Sequence, residues 1–260
     1  MEFKFEGRAK IVSQVLMGIG VIALIAGFFT DGSDHHQRWW ANLLVNGFFW
    51  FSLSLAALFF YALNYAVEAA WSAVIKRVFE AMWHFLPIGA GVIVVVLVAG
   101  NFFHAHHLYH WMDHTLYHEF MVVGGEETSY VDVMEEGAVT NPNYDKIIAH
   151  KGAYFANWFF WLRTLMYIGT FMVFSYLFRK WSLLEDESPD LNLHYKQFRR
   201  SAVFLVLFAV FSSMLSWDWI MSIDVHWFST LFGWYLFSGM WVGFMIFLNL
   251  ALIWLRSKGY

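Results

Sequence analysis

Six long runs of mainly apolar residues divide the chain, at about 11–29, 40–67, 84–103, 153–178, 201–221 and 226–255. A helix needs about 20 such residues to cross the hydrocarbon of a bilayer, and every run is of that order. Barrel strands would be about 10 residues long with alternating polarity. A run such as Val92-Ile93-Val94-Val95-Val96-Leu97-Val98 does not alternate, so the spans are helices, whose backbone groups are satisfied within one segment. The pattern predicts an all-α, polytopic transmembrane bundle: one domain over 1–260, six spans, and a long outer loop at 104–151. The first run follows Phe3-Lys4-Phe5-Glu6-Gly7-Arg8-Ala9-Lys10 and has no Ala-x-Ala-like cleavage site near its end, so it reads as a retained span.

Composition agrees: 60% hydrophobic, 22% aromatic and 14% charged, against roughly 25% charged in soluble domains. The net charge of −4 says less than where the sixteen Lys and Arg fall. Twelve cluster on one side: Lys4, Arg8, Lys10; Lys76, Arg77; Arg179, Lys180, Lys196, Arg199, Arg200; Arg256, Lys258. The other side has Arg38, Lys146 and Lys151, with Arg163 inside a span. The positive-inside rule makes the basic side cytoplasmic and puts both termini there. Trp39-Trp40, Trp83, Trp181, Trp227 and Trp254 fall near span ends, as interfacial tryptophans do. Gly18, Gly20, Gly89, Gly91 and the Gly239-x-x-x-Gly243 match suit close helix packing, although glycine is common in membrane helices anyway. The chain has no cysteine, which removes disulfides, Cys-ligated zinc, iron–sulfur clusters and thioether-attached haem.

The polar residues within or beside the spans are the candidate chemistry. Arg163, about ten residues into the fourth run, is expected near mid-membrane and needs a partner. Asp218, near the outer end of the antiparallel fifth run, is the preferred one, either as a register-fixing ion pair or as part of a proton route. The segment 216–227 gathers Asp218, Asp224 and His226 among Trp217, Trp219 and Trp227; Asp224 is expected to cap the sixth span, and the Asp and His side chains can exchange protons. Glu68 is either the start of a cytoplasmic proton path or the partner of a neighbouring base, the second being favoured. His106, His110, His114 and His118 would line one face if their segment were helical and are metal-ligand candidates, with partner docking the stronger reading. His84 and His104 fall at opposite ends of the third run and no histidine lies inside a span, which argues against membrane haem.

Three pieces carry a family resemblance. They are the string from Trp217-Asp218-Trp219 through Asp224-Val225-His226-Trp227 to Gly233, the run from Trp71-Ser72 through Arg77-Val78-Phe79-Glu80 to Leu86-Pro87, and His150-Lys151-x-Ala153-Tyr154 leading to Phe159-Phe160-x-x-Arg163. Together they resemble the F subunit of alternative complex III, a bacterial quinol:electron-acceptor oxidoreductase. They are also similar to the membrane anchors of the polysulfide-reductase and NrfD-like family. The resemblance implies a subunit of the bacterial inner membrane with no redox centre of its own. Beside it would sit a homologous C-type subunit, thought to hold the quinol site. Haem c and iron–sulfur clusters would reside in partner subunits, with menaquinol or another quinol and lipids in the complex, a terminal oxidase as a further partner, and no nucleic acid. It further implies a proton route through Glu68, Arg163, Asp218, Asp224 and His226, with Arg77 and Glu80 at its cytoplasmic mouth. Family members are longer, with about ten spans, so this chain is expected to correspond to an N-terminal portion.

Two other readings compete. In the first the chain is a quinol-binding enzyme subunit in its own right, with Asp218, Asp224 and His226 beside Trp217, Trp219 and Trp227. The second is a free-standing proton-coupled transporter, disfavoured by the lack of an evident repeat.

Overall fold

The computed structural model describes residues 7–124, 127–134, 137–187 and 191–259. Lys4, one of the basic residues sorted above, lies outside them, as does Tyr260.

Among the described residues six helices are long and apolar enough to cross a membrane. They are α1 (Arg8–Thr30), α2 (Gln37–Ala66), a segment in which α3 (Lys76–Trp83) leads into α4 (Leu86–Phe103), and then, beyond the loop, α7 (Asn157–Glu187), α8 (Leu191–Trp219) and α9 (Phe232–Ser257). The bundle's outer surface is apolar, with Val206, Leu165 and Ile253 each well exposed, which suits contact with lipid. Pro87 sits in the first turn of α4, where its missing N–H costs nothing.

Helix α2 is the hub, packing against α3, α4, α8 and α9. Two glycines set the α2–α4 approach: a Cβ on Gly47 would meet Val92 at 2.6 Å, and one on Gly89 would meet the Phe51 backbone at 2.9 Å. Gly243 plays the same part for α9, against Leu53. Gly18, Gly20, Gly91 and Gly239 have open space where a Cβ would stand, so half of the expected Gly-x-x-x-Gly pair is unused. Two tryptophans expected at the interface, Trp83 and Trp181, are buried in the bundle, Trp83 against Tyr61 of α2 and Trp181 against Phe178 and under the Lys196 ammonium. Helix α1 buries no residue at all.

The outer loop adds a small sheet to the otherwise helical bundle. After α4 ends at His104, in left-handed backbone, come two 3-10 turns (His110–Met112 and His114–Tyr117). A three-stranded antiparallel sheet follows, β1 (Phe120–Gly124), β2 (Glu127–Val131) and β3 (Ala138–Thr140), in the order β2-β1-β3. Its β-branched stretches fit a pleated surface better than a helix. Short helices α5 (Lys146–His150) and α6 (Gly152–Phe155) return the chain to the bundle. The loop is fastened down: the Tyr109 hydroxyl donates to the Trp219 carbonyl at 2.7 Å, Lys151 donates to the Val225 carbonyl at 2.7 Å, and Trp111 stacks on Phe155.

Candidate functional site

Buried charge gathers at the two ends of the bundle. At the end where the loop lies, Asp218 is one residue from the end of α8 and fully buried. The Arg163 guanidinium donates to both its oxygens, Nε at 2.8 Å and an Nη at 3.0 Å. The hydroxyls of Tyr154 and Tyr167 donate as well, at 2.7 and 2.8 Å. Arg163, 3% exposed, spends its remaining reach on the Tyr154 carbonyl at 3.0 Å and lies over the rings of Tyr154 and Phe159. Four donors on one carboxylate make a satisfied ion pair, the condition for burying charge without a large penalty. Arg163 is shallower than expected: α7 starts at Asn157, so it lies six residues in, roughly 9 Å from the helix end at 1.5 Å per residue.

Burial, then the neighbouring Asp218 carboxylate, pushes the Tyr154 phenol above its ordinary range, so it stays protonated and donates. The Asp145 carboxyl is pulled up by its partial burial, but the N–H groups of Ile148 and Ile147 and the His226 ring outweigh this and leave it lowered.

Asp224 and His226 do not join this cluster. The Asp224 carboxylate accepts from the backbone N–H of His226 at 3.0 Å, and His226 contacts Asp145 at 2.6 Å, near the start of α5. Asp224 does not cap α9 either, since that helix begins eight residues later, at Phe232. The aromatic expectation divides similarly. Trp219 is buried, donating to the Thr164 hydroxyl at 3.2 Å, whereas Trp217 and Trp227 line a cleft of about 400 Å³ with Tyr154, Met214, Met221 and Asp224. The Trp217 indole N–H is buried and unpartnered among the described residues.

At the basic end Glu80, on α3, is fully buried. Its carboxylate accepts from Arg77 one turn back and from Arg179 and Ser182 on α7; Arg77 also pairs with Asp186. A hydrogen-bonded chain lies beside it: Tyr61 donates to Gln197, and Gln197 donates to Glu185 at 3.0 Å. Glu185 also accepts from Tyr65 and from Lys76, the latter at 3.3 Å. This chain borders a cavity of about 380 Å³ lined by Tyr61, Tyr65, Glu68, Lys76, Glu185 and His194. Glu68 stands at its rim, 61% exposed, in left-handed backbone, 3.6 Å from His194. Sequence reasoning found Arg77, Glu80 and Glu68 but missed Tyr61, Tyr65, Arg179, Ser182, Glu185 and Gln197. Its available signals were the i, i+4 spacing of Tyr61 and Tyr65 and the nearness of Gln197 to a span. Tyr154 lay in the motif leading to Arg163 with no role attached, and Tyr167 gave no signal, since a tyrosine in an aromatic-rich run stands out only once its partner is placed.

The four loop histidines do not share a face. Their segment is 3-10 turn and extended chain, with His106 buried and bonded to the Val96 carbonyl at 2.9 Å and His118 contacting Asp132 at 2.8 Å. Burial lowers the His106 pKa below its ordinary value. Among the described residues no group of three or more His, Asp or Glu side chains is arranged to hold a metal.

Between the two clusters the packing is phenylalanine: Phe171, Phe174 and Phe178 on α7 against Phe204 and Phe208 on α8. From Tyr167 to Phe178 is eleven residues, so the apolar layer is roughly 16 Å deep.

Fold and site thus define a class: a multi-pass helical bundle with a locked carboxylate at each end and an apolar middle. No protein-family model matches the chain, and no curated protein matches it.

Proposed function

We propose that the chain is an integral membrane subunit of a bacterial respiratory quinol:cytochrome c (or oxidase) oxidoreductase. It holds no redox centre of its own, anchors partner subunits, and sits in the inner membrane with its basic end and both termini cytoplasmic. The observation that carries this reading is the pair of saturated carboxylates, Asp218 and Glu80, at opposite ends of an apolar layer. Each fixes neighbouring elements in register, as a scaffold requires. Each carboxylate is already engaged by fixed guanidinium and hydroxyl donors, which leaves it no free oxygen with which to relay a proton across the bundle. Any proton route is therefore a half-path, from the Glu68 and Glu185 cavity inward to Tyr61 and Glu80, and crossing the phenylalanine layer would require water. Mild-detergent purification of the tagged chain from its own membrane tests the reading. Copurifying c-type cytochrome, iron–sulfur and C-type membrane subunits are expected; a lone, colourless monomer overturns it.

One observation favours a second reading, a quinol-binding subunit: the tryptophan-lined cleft is bordered by Trp217, whose indole N–H is unpartnered among the described residues, and by Tyr154, whose hydroxyl donates to Asp218. Asp218→Asn separates the two readings. Loss of quinol binding in that variant supports the cleft, whereas unchanged binding there, with fewer protons moved per electron in Glu80→Gln, supports the half-path.

A further inference from the structure

Helix α1 touches the bundle at its outer end, where Phe28 meets His36 and Trp39 and the Trp39 indole donates to the Leu24 carbonyl at 2.9 Å. Below that contact lies a groove of about 770 Å³, with Gly20 and Gly27 on its α1 wall and Arg38, Asn42, Asn46 and Trp50 on its α2 wall. Arg38, Asn42 and Asn46 follow at i, i+4 spacing, so they form one polar stripe down a helix that otherwise belongs in hydrocarbon.

Each asparagine donates one amide hydrogen back to its own helix, Asn42 to the Arg38 carbonyl and Asn46 to the Asn42 carbonyl, both at 2.8 Å. Their Oδ1 acceptors have no hydrogen bond among the described residues, and both side chains are exposed to the groove. Asn46 lies nine residues below the start of α2, roughly 14 Å down and near the middle of a hydrocarbon layer of about 30 Å. Polar groups at that depth are satisfied by other protein and act as interhelical glue. Arg38, at the outer mouth, has no ion pair among the described residues.

We propose that this groove seats a transmembrane helix of a partner subunit. That helix presents hydroxyl or amide donors to Asn42 and Asn46 and a carboxylate to Arg38. A lipid chain fills the volume but brings no donor to the depth of Asn46. A second copy of this chain, docked through the same patch about a two-fold axis along the membrane normal, puts Arg38 and its symmetry mate at one level with like charge, and the acid in the groove, Asp31, already accepts from Ser33 and the Trp39 N–H. The inference rests on the complex-subunit reading and names where one partner sits.

The chain has no cysteine, and a Cβ at Gly20 meets nothing within 4 Å, so Gly20→Cys supplies a single thiol in the groove without disturbing the fold. A thiol-reactive photo-crosslinker attached there is activated in native membranes, with Val206→Cys, on the exposed face of α8, as the lipid-facing control. The expected result is a Gly20→Cys adduct, absent from the control, that maps to an apolar segment of another subunit carrying Ser, Thr, Tyr, Asn or Gln at mid-span and Asp or Glu at its outer end. Asn46→Leu should then lower recovery of that adduct about three- to twentyfold. Adducts to lipid alone, to a second copy, or equally from both positions overturn the assignment. A mapped groove helix in an assembly without haem or iron–sulfur subunits overturns the proposed function instead and leaves the groove assigned.

Discussion

Replacing Asp218 with Leu removes one carboxylate and four accepted hydrogen bonds, and leaves the Arg163 guanidinium buried beside two tyrosine hydroxyls. Breaking one half of a buried pair costs about 3–5 kcal/mol, because the remaining charge is uncompensated. Arg163→Met should cost a similar amount, since the Asp218 carboxylate then rests on Tyr154 and Tyr167 alone. If the two changes were independent, the double variant would lose about 6–10 kcal/mol. The geometry expects otherwise: with both charges gone the main residual defect is the Tyr167 hydroxyl, an orphaned group costing about 1–3 kcal/mol, while half-buried Tyr154 turns toward the cleft it lines. The double variant should therefore be no less stable than either single one. Equilibrium unfolding of the four proteins in bilayer-mimicking micelles, followed by circular dichroism, measures this. A double variant destabilised by the sum of the singles would refute the idea that Arg163 and Asp218 act as one unit.

At the basic end, Glu80→Gln should cost about 1–3 kcal/mol through the disrupted hydrogen bonds of a fully buried side chain. Glu68→Gln, at an exposed rim, should fall within about 0.5 kcal/mol of the parent by the same unfolding measurement; equal losses would contradict the burial argument. Gly89→Ala should destabilise by about 1–3 kcal/mol, because its new methyl meets the Phe51 backbone, whereas Gly91→Ala two residues on should be near neutral; thermal melts of the pair decide. The α1–α2 corner should respond to acid. The Ser33 hydroxyl and N–H, aided by the Trp39 N–H, hold the Asp31 carboxyl down at about 2 against an ordinary 3.8. Its contribution is complete above 3.8 and is lost as the pH falls toward 2. Trp39 fluorescence in the Asp31→Asn variant should be flat across that window, while the parent's changes.

The six spans were legible because hydrophobic runs long enough for a bilayer have few alternative folds. Their ends were not. The sixth run was read from 226, but Val225, His226 and Trp227 belong to an irregular segment tied to Lys151 and Asp145, and α9 waits until Phe232. The Arg163–Asp218 pair was legible because a buried charge demands a partner at like depth on a neighbouring helix. The tyrosines completing it were not, since a phenol is equally at home in an apolar core. In the loop, i, i+4 histidine spacing suggested a helical face, but spacing has that meaning only where the backbone is helical. Local β propensity and the left-handed turn at His104 made it something else. Glu80 shows the reverse case. It was placed correctly near the basic end, yet its saturation depends on Arg179 and Ser182, about a hundred residues away.

The phenylalanine layer also makes the molecule an insulator. Most of a transmembrane voltage falls across the least polar slab, and a unit charge moved through 100 mV changes energy by about 2.3 kcal/mol. Here the buried charges stand in paired groups on either side of the slab, each fixed by its own hydrogen bonds, so the field finds little charge to displace. The bundle's own shape should thus be indifferent to membrane potential. A voltage-dependent behaviour found in the assembled protein would have to originate in something bound to this chain, or in water drawn between Phe174 and Phe204.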